Sequence, residues 1–173
     1  SQFELLLQLK SIENIQQTDV EADAEIVDEP VEEASEIPRL KAKILIVEDV
    51  PTNQLLLSHS LQRAGAEIEV AANGQVAVEM ALQTAYDVIL MDMQMPVMDG
   101  NTATRLLREK GLTLPIIALT AHSLDGDQER CLAAGCSGFL TKPVSPDILL
   151  KTVQETLKVA EESLRAVVCG TNG

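Results

Sequence analysis

Between Lys43 and Thr141 the chain alternates short apolar runs with longer amphipathic stretches. "KILIV" (43–47), "DVILM" (87–91) and "PIIAL" (115–119) are almost wholly apolar, "EIEVA" (67–71) alternates, and "GFLT" (138–141) is short. Runs of this length, rich in β-branched residues, predict strands, and continuous apolarity predicts strands covered on both faces. Helical spacing fills the intervals. Leu55, Leu56, Ser58 and Leu61 set the period over 52–64, before Gly65. Asn73-Gly74 opens a second helix reaching about Thr84, and helices over 101–110 and about 124–134 stop at Gly111 and Gly135. Ser145-Pro146-Asp147 offers an N-cap and a proline at the first helical position, which starts the last helix.

Five strand–helix units joined by right-handed crossovers predict a doubly wound α/β three-layer sandwich. The expected strand order is the flavodoxin-like 2-1-3-4-5, with the chemistry at the carboxyl ends of the strands.

The flanks read differently. In "SQFELLLQLK" (1–10), Phe3, Leu5, Leu7 and Leu9 share a face if extended, while Leu5, Leu9 and Ile12 share one if helical. Nine acids and no base lie between Asp19 and Glu36, a composition that favours an extended linker over 13–40. The folded domain is expected over 41–159, and 160–173 as a helical extension and tail. Leu150, Val153, Leu157, Ala160, Leu164 and Val167 are spaced 3-4-3-4-3. That seam implies self-association or a following helical partner.

Charge and composition narrow the function. The net charge is −14 over 173 residues, which argues against nucleic acid as a direct partner because phosphate binding needs a basic face. Aromatics make up 2%, so the core must be aliphatic. Three cysteines without a CxxC spacing fit a reducing compartment rather than a disulfide framework or a zinc site. No apolar run approaches the roughly 18 residues of a membrane span. The piece is therefore expected in the cytoplasm, not inserted in a membrane.

Polar groups sit at the ends of the buried runs: Glu48 and Asp49 after the first, Asp92, Thr120, and Lys142. The predicted topology gathers them at one sheet edge. Two carboxylates about 4 Å apart repel by about 4 kcal/mol at an effective dielectric of 20. Three of them with one lysine call for a hard divalent cation, Mg²⁺ or Mn²⁺ as its substitute. A metal-held carboxylate facing a lysine and a hydroxyl suits phosphoryl transfer, with Asp92 as the nucleophile and an acyl phosphate as the product.

Residues 41 to about 159 resemble the receiver domain of two-component and phosphorelay signalling. The resemblance rests on "ILIVED" (44–49), "VILMDMQMPVMDG" (88–100), "PIIALTA" (115–121) and "GFLTKPV" (138–144). The spacings fit as well: 43 residues from Asp49 to Asp92, 28 on to Thr120 and 22 more to Lys142. The resemblance implies Asp92 as phospho-acceptor and Glu48, Asp49, Asp92 and the Gln94 main-chain carbonyl around Mg²⁺. Thr120 and Lys142 would grip the phosphoryl oxygens, Lys142-Pro143 would be cis, and Thr120 and Phe139 would form the switch. Val50 departs from the asparagine common among hybrid-kinase relatives, and Gln94 and His122 occupy positions that vary in the family.

"SQFELLLQLK" resembles the terminal strand of a kinase ATP-binding domain, so residues 1–12, the acidic linker and the receiver follow the order of a hybrid sensor histidine kinase. Such a parent can be anchored in the inner membrane. The partners implied are a phosphohistidine donor domain and a histidine-phosphotransfer domain, the latter alternatively beginning with a separate helix over 160–168. The fragment itself would catalyse at most its own phosphotransfer and dephosphorylation.

Two other readings compete. An aspartate-nucleophile phosphohydrolase of the haloacid-dehalogenase kind wants a second Asp two residues after the nucleophile, where Gln94 stands. A receiver-fold domain acting mainly as a protein-binding scaffold needs no phosphorylation. Met91, Met93, Met95 and Met98 read as packing rather than a metal box, His59 as a surface or packed residue, and Phe139 equally as core.

Overall fold

The computed structural model describes residues 40–121 and 125–169. The expectations for a terminal kinase strand and an acidic linker in residues 1–39, and for His122, lie outside the described residues.

The elements are β1 (Lys43–Val47), α1 (Pro51–Arg63), β2 (Glu67–Ala71), α2 (Gly74–Gln83), β3 (Val88–Asp92), α3 (Gly100–Glu109), β4 (Ile116–Thr120), α4 (Asp125–Ala134), β5 (Gly138–Thr141) and α5 (Pro146–Cys169). The five strands form one parallel sheet in the order β2-β1-β3-β4-β5. β1, β3 and β4 are its buried centre, and β2, whose acidic side chains alternate with Ile68 and Val70, is an edge.

Successive strand residues point to opposite faces, so each central strand feeds two cores. Leu45, Val47, Ile89 and Met91 pack with Ala77, Ala103 and Leu107 on one face. Ile44, Ile46, Leu90 and Leu119 pack with Leu57, Leu61, Leu149 and Val153 on the other. Helices α2, α3 and α4 therefore cover one side, and α1 and α5 the other. Met91, Met93 and Met95 are buried in the first core with Met98 packed against it, as gap-filling residues would be.

Local chemistry sets the helix starts. Asn73 and Asp99 accept hydrogen bonds from the Val76 and Thr102 N–H groups, each capping its helix. Ser145 Oγ accepts from the Ile148 N–H at 3.3 Å, the N-cap expected of it. At the amino edge of the sheet, Lys43 bridges Glu67 at 3.1 Å and Glu69 at 2.6 Å and lies 5.7 Å from the Tyr86 ring centre. The Tyr86 hydroxyl donates to Glu69. This network ties the edge strand to the centre.

The structure moves two strand ends. β3 and β4 start and finish one residue later than their apolar runs predict, so Asp92 and Thr120 are the last residues of their strands. Their backbones stay in the ladder although their side chains are polar. Asp92 pairs with Leu119, and Thr120 pairs with Thr141.

The last helix is continuous from Pro146 to Cys169, so no break at 160 separates a second helix. At 1.5 Å per residue its 24 residues extend about 36 Å. The first three seam positions need no outside partner: Val153 is in the core, and Leu150 and Leu157 pack against it. The side chains of Leu164 and Val167 lie outside the described residues. Among the described residues no helix is long and apolar enough to cross a membrane.

Candidate functional site

The sheet register brings the carboxyl ends of β1, β3, β4 and β5 to one edge, and four of the sequence-predicted side chains converge there. Glu48, directly after β1, is fully buried. Its Oε1 accepts hydrogen bonds from Asn53 Nδ2 at 3.0 Å and from the Val50 N–H at 3.3 Å. Its Oε2 accepts from Lys142 Nζ at 2.6 Å. Asp92, also buried, accepts at Oδ1 from the Gln94 N–H at 3.0 Å and at Oδ2 from Lys142 Nζ at 2.6 Å. Asp49 is half-buried, and one oxygen each of Glu48, Asp49 and Asp92 lies within 4.8 Å of the others.

The remaining predicted residues frame this cluster. Thr120 is buried at the end of β4, and its carbonyl accepts the Lys142 N–H at 2.8 Å, which fixes the lysine's strand to the threonine's. The Lys142–Pro143 peptide is cis. Gln94 is exposed with its N–H turned onto Asp92. Phe139 is half-buried, pairs with Ala118, and packs against the same core as Met91. His59 is exposed on α1, as a surface residue would be.

The electrostatics follow from crowding. At 4.8 Å two unit charges repel by about 3.5 kcal/mol at an effective dielectric of 20. Burial pushes the Asp92 carboxyl above its ordinary value, opposed by the Gln94 N–H and Lys142 and reinforced by Glu48. Burial also works against the Lys142 charge, but hydrogen bonds to Asp92 and Glu48 outweigh it and hold its pKa above the ordinary lysine value. Three carboxylates against one ammonium leave the cluster two negative charges in excess. An all-oxygen set of this kind fits a hard divalent cation.

Sequence reasoning missed Asn53 and Gln54. Asn53 donates to the Glu48 carboxylate, and Gln54 Nε2 donates to the Glu48 carbonyl at 2.7 Å. The signal was present in the helical period. Asn53 stands four and eight residues before the inward Leu57 and Leu61, so a polar side chain begins the buried stripe of α1.

The approach of α3 to β3 is another feature of the site. A Cβ on Gly100 would lie 2.2 Å from the Asp92 carbonyl oxygen and 2.9 Å from Met93 Cα. Only glycine lets the helix start so close to the strand that ends in Asp92. Val97, in the intervening loop, has φ of 70° and is 80% exposed.

The comparisons agree with this geometry. The family model for the response regulator receiver domain matches residues 44–154. Sensor histidine kinase RcsC of Salmonella typhimurium is 38% identical over 122 residues, which are 70% of this chain and 12% of that protein. The chain thus spans a small part of the curated kinases it matches. Among solved structures, the receiver domain of sensor histidine kinase PA1611 from Pseudomonas aeruginosa PAO1, with a magnesium ion coordinated in its active-site cleft, is 42% identical. It has a TM-score of 0.64, covering 69% of this chain and 99% of that one. The receiver of Saccharomyces cerevisiae Ssk1, solved with the histidine phosphotransfer protein Ypd1, is 33% identical with a TM-score of 0.63, covering 68% and 88%. The sheet order, the acidic strand ends and the matched span together make this chain a member of the response regulator receiver domain family.

Proposed function

We propose that the chain is the receiver of a hybrid histidine kinase, and that Asp92 takes a phosphoryl group from a phosphohistidine. The observation that carries this reading is the Asp92 carboxylate at the end of β3, close to two other carboxylates and 2.6 Å from Lys142. Glu48, Asp49, Asp92 and the Gln94 main-chain carbonyl would hold Mg²⁺, with Mn²⁺ as its substitute. The cation, when bound, offsets the negative charge of the cluster and of the phosphoryl oxygens.

The chain's own groups do the rest. A carboxylate oxygen of Asp92 forms a P–O bond as the P–N bond of the phosphohistidine breaks. The donor imidazole leaves as the neutral ring, its second nitrogen already carrying the proton. Lys142 Nζ turns from the carboxylates to a phosphoryl oxygen, and the Thr120 hydroxyl holds another. Thr120 moving toward the new charge opens space that Phe139 fills by sterics alone, which changes the face formed by α4, β5 and α5.

The rim suits a protein donor. Val50, Leu55 and Leu56 expose apolar side chains on and beside the start of α1. Leu56 and Leu57 also line a cavity of about 360 Å³ shared with Glu48 and Lys142. A phosphotransfer domain, of the kind seen with the Ssk1 receiver, is the partner proposed for that surface. The proposed receiver boundaries are 41–159, in a cytoplasmic part of the parent kinase.

The test is incubation with acetyl phosphate and MgCl₂ followed by mass measurement. An alkali-labile gain of one phosphoryl group, absent in Asp92→Asn and in EDTA, is the expected result. Partner binding that Asp92→Asn leaves intact, with no phosphoryl gain in the native chain, would replace this reading with the scaffold one.

A further inference from the structure

We infer that Asn53 is a positioning residue, holding the Glu48 carboxylate in the orientation a divalent cation requires. The inference rests on the magnesium reading above and adds a residue outside its ligand set. Glu48 has one more rotatable bond than an aspartate, so its carboxylate needs an external restraint to stay aimed at the cluster. The structure supplies that restraint on one oxygen. Oε1 accepts from the Asn53 amide at 3.0 Å and from the Val50 N–H at 3.3 Å, whereas Oε2 faces Lys142 Nζ at 2.6 Å.

The two oxygens therefore have different partners. Both donors on Oε1 are neutral and belong to the start of α1 or the residue before it, so a cation's arrival need not displace them. The partner of Oε2 is an ammonium from the residue just after β5, shared with Asp92, which can turn away and yield its place. The amide orientation follows from chemistry: an ionised carboxylate only accepts, so the NH₂ group, not the amide oxygen, must face Oε1. Gln54 reinforces the arrangement from the adjacent position by holding the Glu48 carbonyl at 2.7 Å. Groups that orient metal ligands in this way typically account for about 10- to 100-fold in metal affinity.

The experiment is MgCl₂ titration of the ¹⁵N-labelled full chain, followed by amide shifts, for the native protein, Asn53→Leu, Glu48→Asp and the double variant. Asn53→Leu keeps the side-chain bulk and removes the donor; it should weaken Mg²⁺ binding by about 10-fold or more. Its phosphorylation rate with acetyl phosphate should return to the native value at saturating Mg²⁺, a split that a general loss of fold would not give. In Glu48→Asp the shorter side chain withdraws from Asn53, so adding Asn53→Leu should change affinity by less than about twofold. The metal-free native spectrum gives a check that does not depend on the folding of any Asn53 variant. One proton of the Asn53 amide pair should be shifted downfield by its hydrogen bond and should move back in Glu48→Asp. Equal affinity of Asn53→Leu and native protein, multiplying losses in the double variant, or an unshifted Asn53 pair would overturn the inference. Absence of Mg²⁺ binding by the native chain would overturn the magnesium reading itself, and this inference with it.

Discussion

Lys142 is the only cation in hydrogen-bonding contact with both Glu48 and Asp92 among the described residues, and its removal should be costly in a way that depends on pH and magnesium. In Lys142→Met the side chain keeps its length and loses its charge. Glu48 remains fully buried, Asp92 nearly so, and their oxygens stay within 4.8 Å. The uncompensated repulsion is about 3.5 kcal/mol at an effective dielectric of 20. Removing one partner of a buried pair typically costs about 3–5 kcal/mol. Protonating one carboxyl offers an escape, and at pH 7 this costs about 4 kcal/mol for a group with an ordinary pKa near 4. Burial already pushes Asp92 upward, which lowers that ceiling. Lys142 keeps 23% of its side chain exposed, so solvent screening trims the loss further. A destabilisation of about 2–3 kcal/mol in EDTA at pH 7 is expected.

The sign of the pH effect is fixed. Without the ammonium, the folded-state pKa of Asp92 rises further above its unfolded value. The folded state then binds a proton that the unfolded state does not, so the variant gains stability relative to native protein as pH falls. The gap should narrow by up to about 1.4 kcal/mol per pH unit between 7 and 5. Magnesium should act in the same direction and stabilise the variant more than the native chain, because no ammonium competes for the carboxylates. Urea unfolding followed by far-ultraviolet circular dichroism measures all of this, since the chain has no tryptophan. Equal urea midpoints for native and Lys142→Met protein in EDTA at pH 7 would refute the picture of a lysine-neutralised acidic pocket.

Three further outcomes are expected. Gly100→Ala forces a Cβ to within 2.2 Å of the Asp92 carbonyl, so it should lower stability by about 1–3 kcal/mol and slow phosphorylation of Asp92; calorimetry and acetyl phosphate labelling read the two effects. Val97→Gly relieves a left-handed β-branched residue that is 80% exposed, so despite the added freedom of the unfolded chain it should raise stability by roughly 0.5–1 kcal/mol in urea titrations. Burial pushes the Cys136 thiol from 9.0 up to about 11, so its contribution is complete below pH 9 and disappears as pH rises through 11. Native protein should lose about 3 kcal/mol more than Cys136→Ala over that interval, read from urea midpoints at each pH.

The strands and their order are legible in the sequence because burial on both faces leaves a strand no room for polar residues. The Ile44–Val47 run is apolar throughout for that reason, and continuous apolar runs imply parallel pairing. The same logic explains the one-residue error at β3 and β4. Asp92 and Thr120 satisfy the backbone ladder while breaking the apolar pattern, and the pattern reports side chains, not backbone pairing. Asn53 was hidden for a related reason. A single polar residue at the head of an apolar stripe reads as ordinary helix surface, because nothing in the sequence aims its amide at Glu48, five residues earlier, rather than at solvent. Val97 gives no warning at all, since a valine does not announce a left-handed backbone. What escapes the sequence is therefore concentrated where local preference and site geometry disagree. An amide that holds a buried carboxylate, a glycine under a helix start and a strained valine all lie within the two loops that follow β1 and β3 or at their borders. A fold optimised only for stability would have no reason to collect these conflicts at one sheet edge. A site that must hold three carboxylates ready for a cation does.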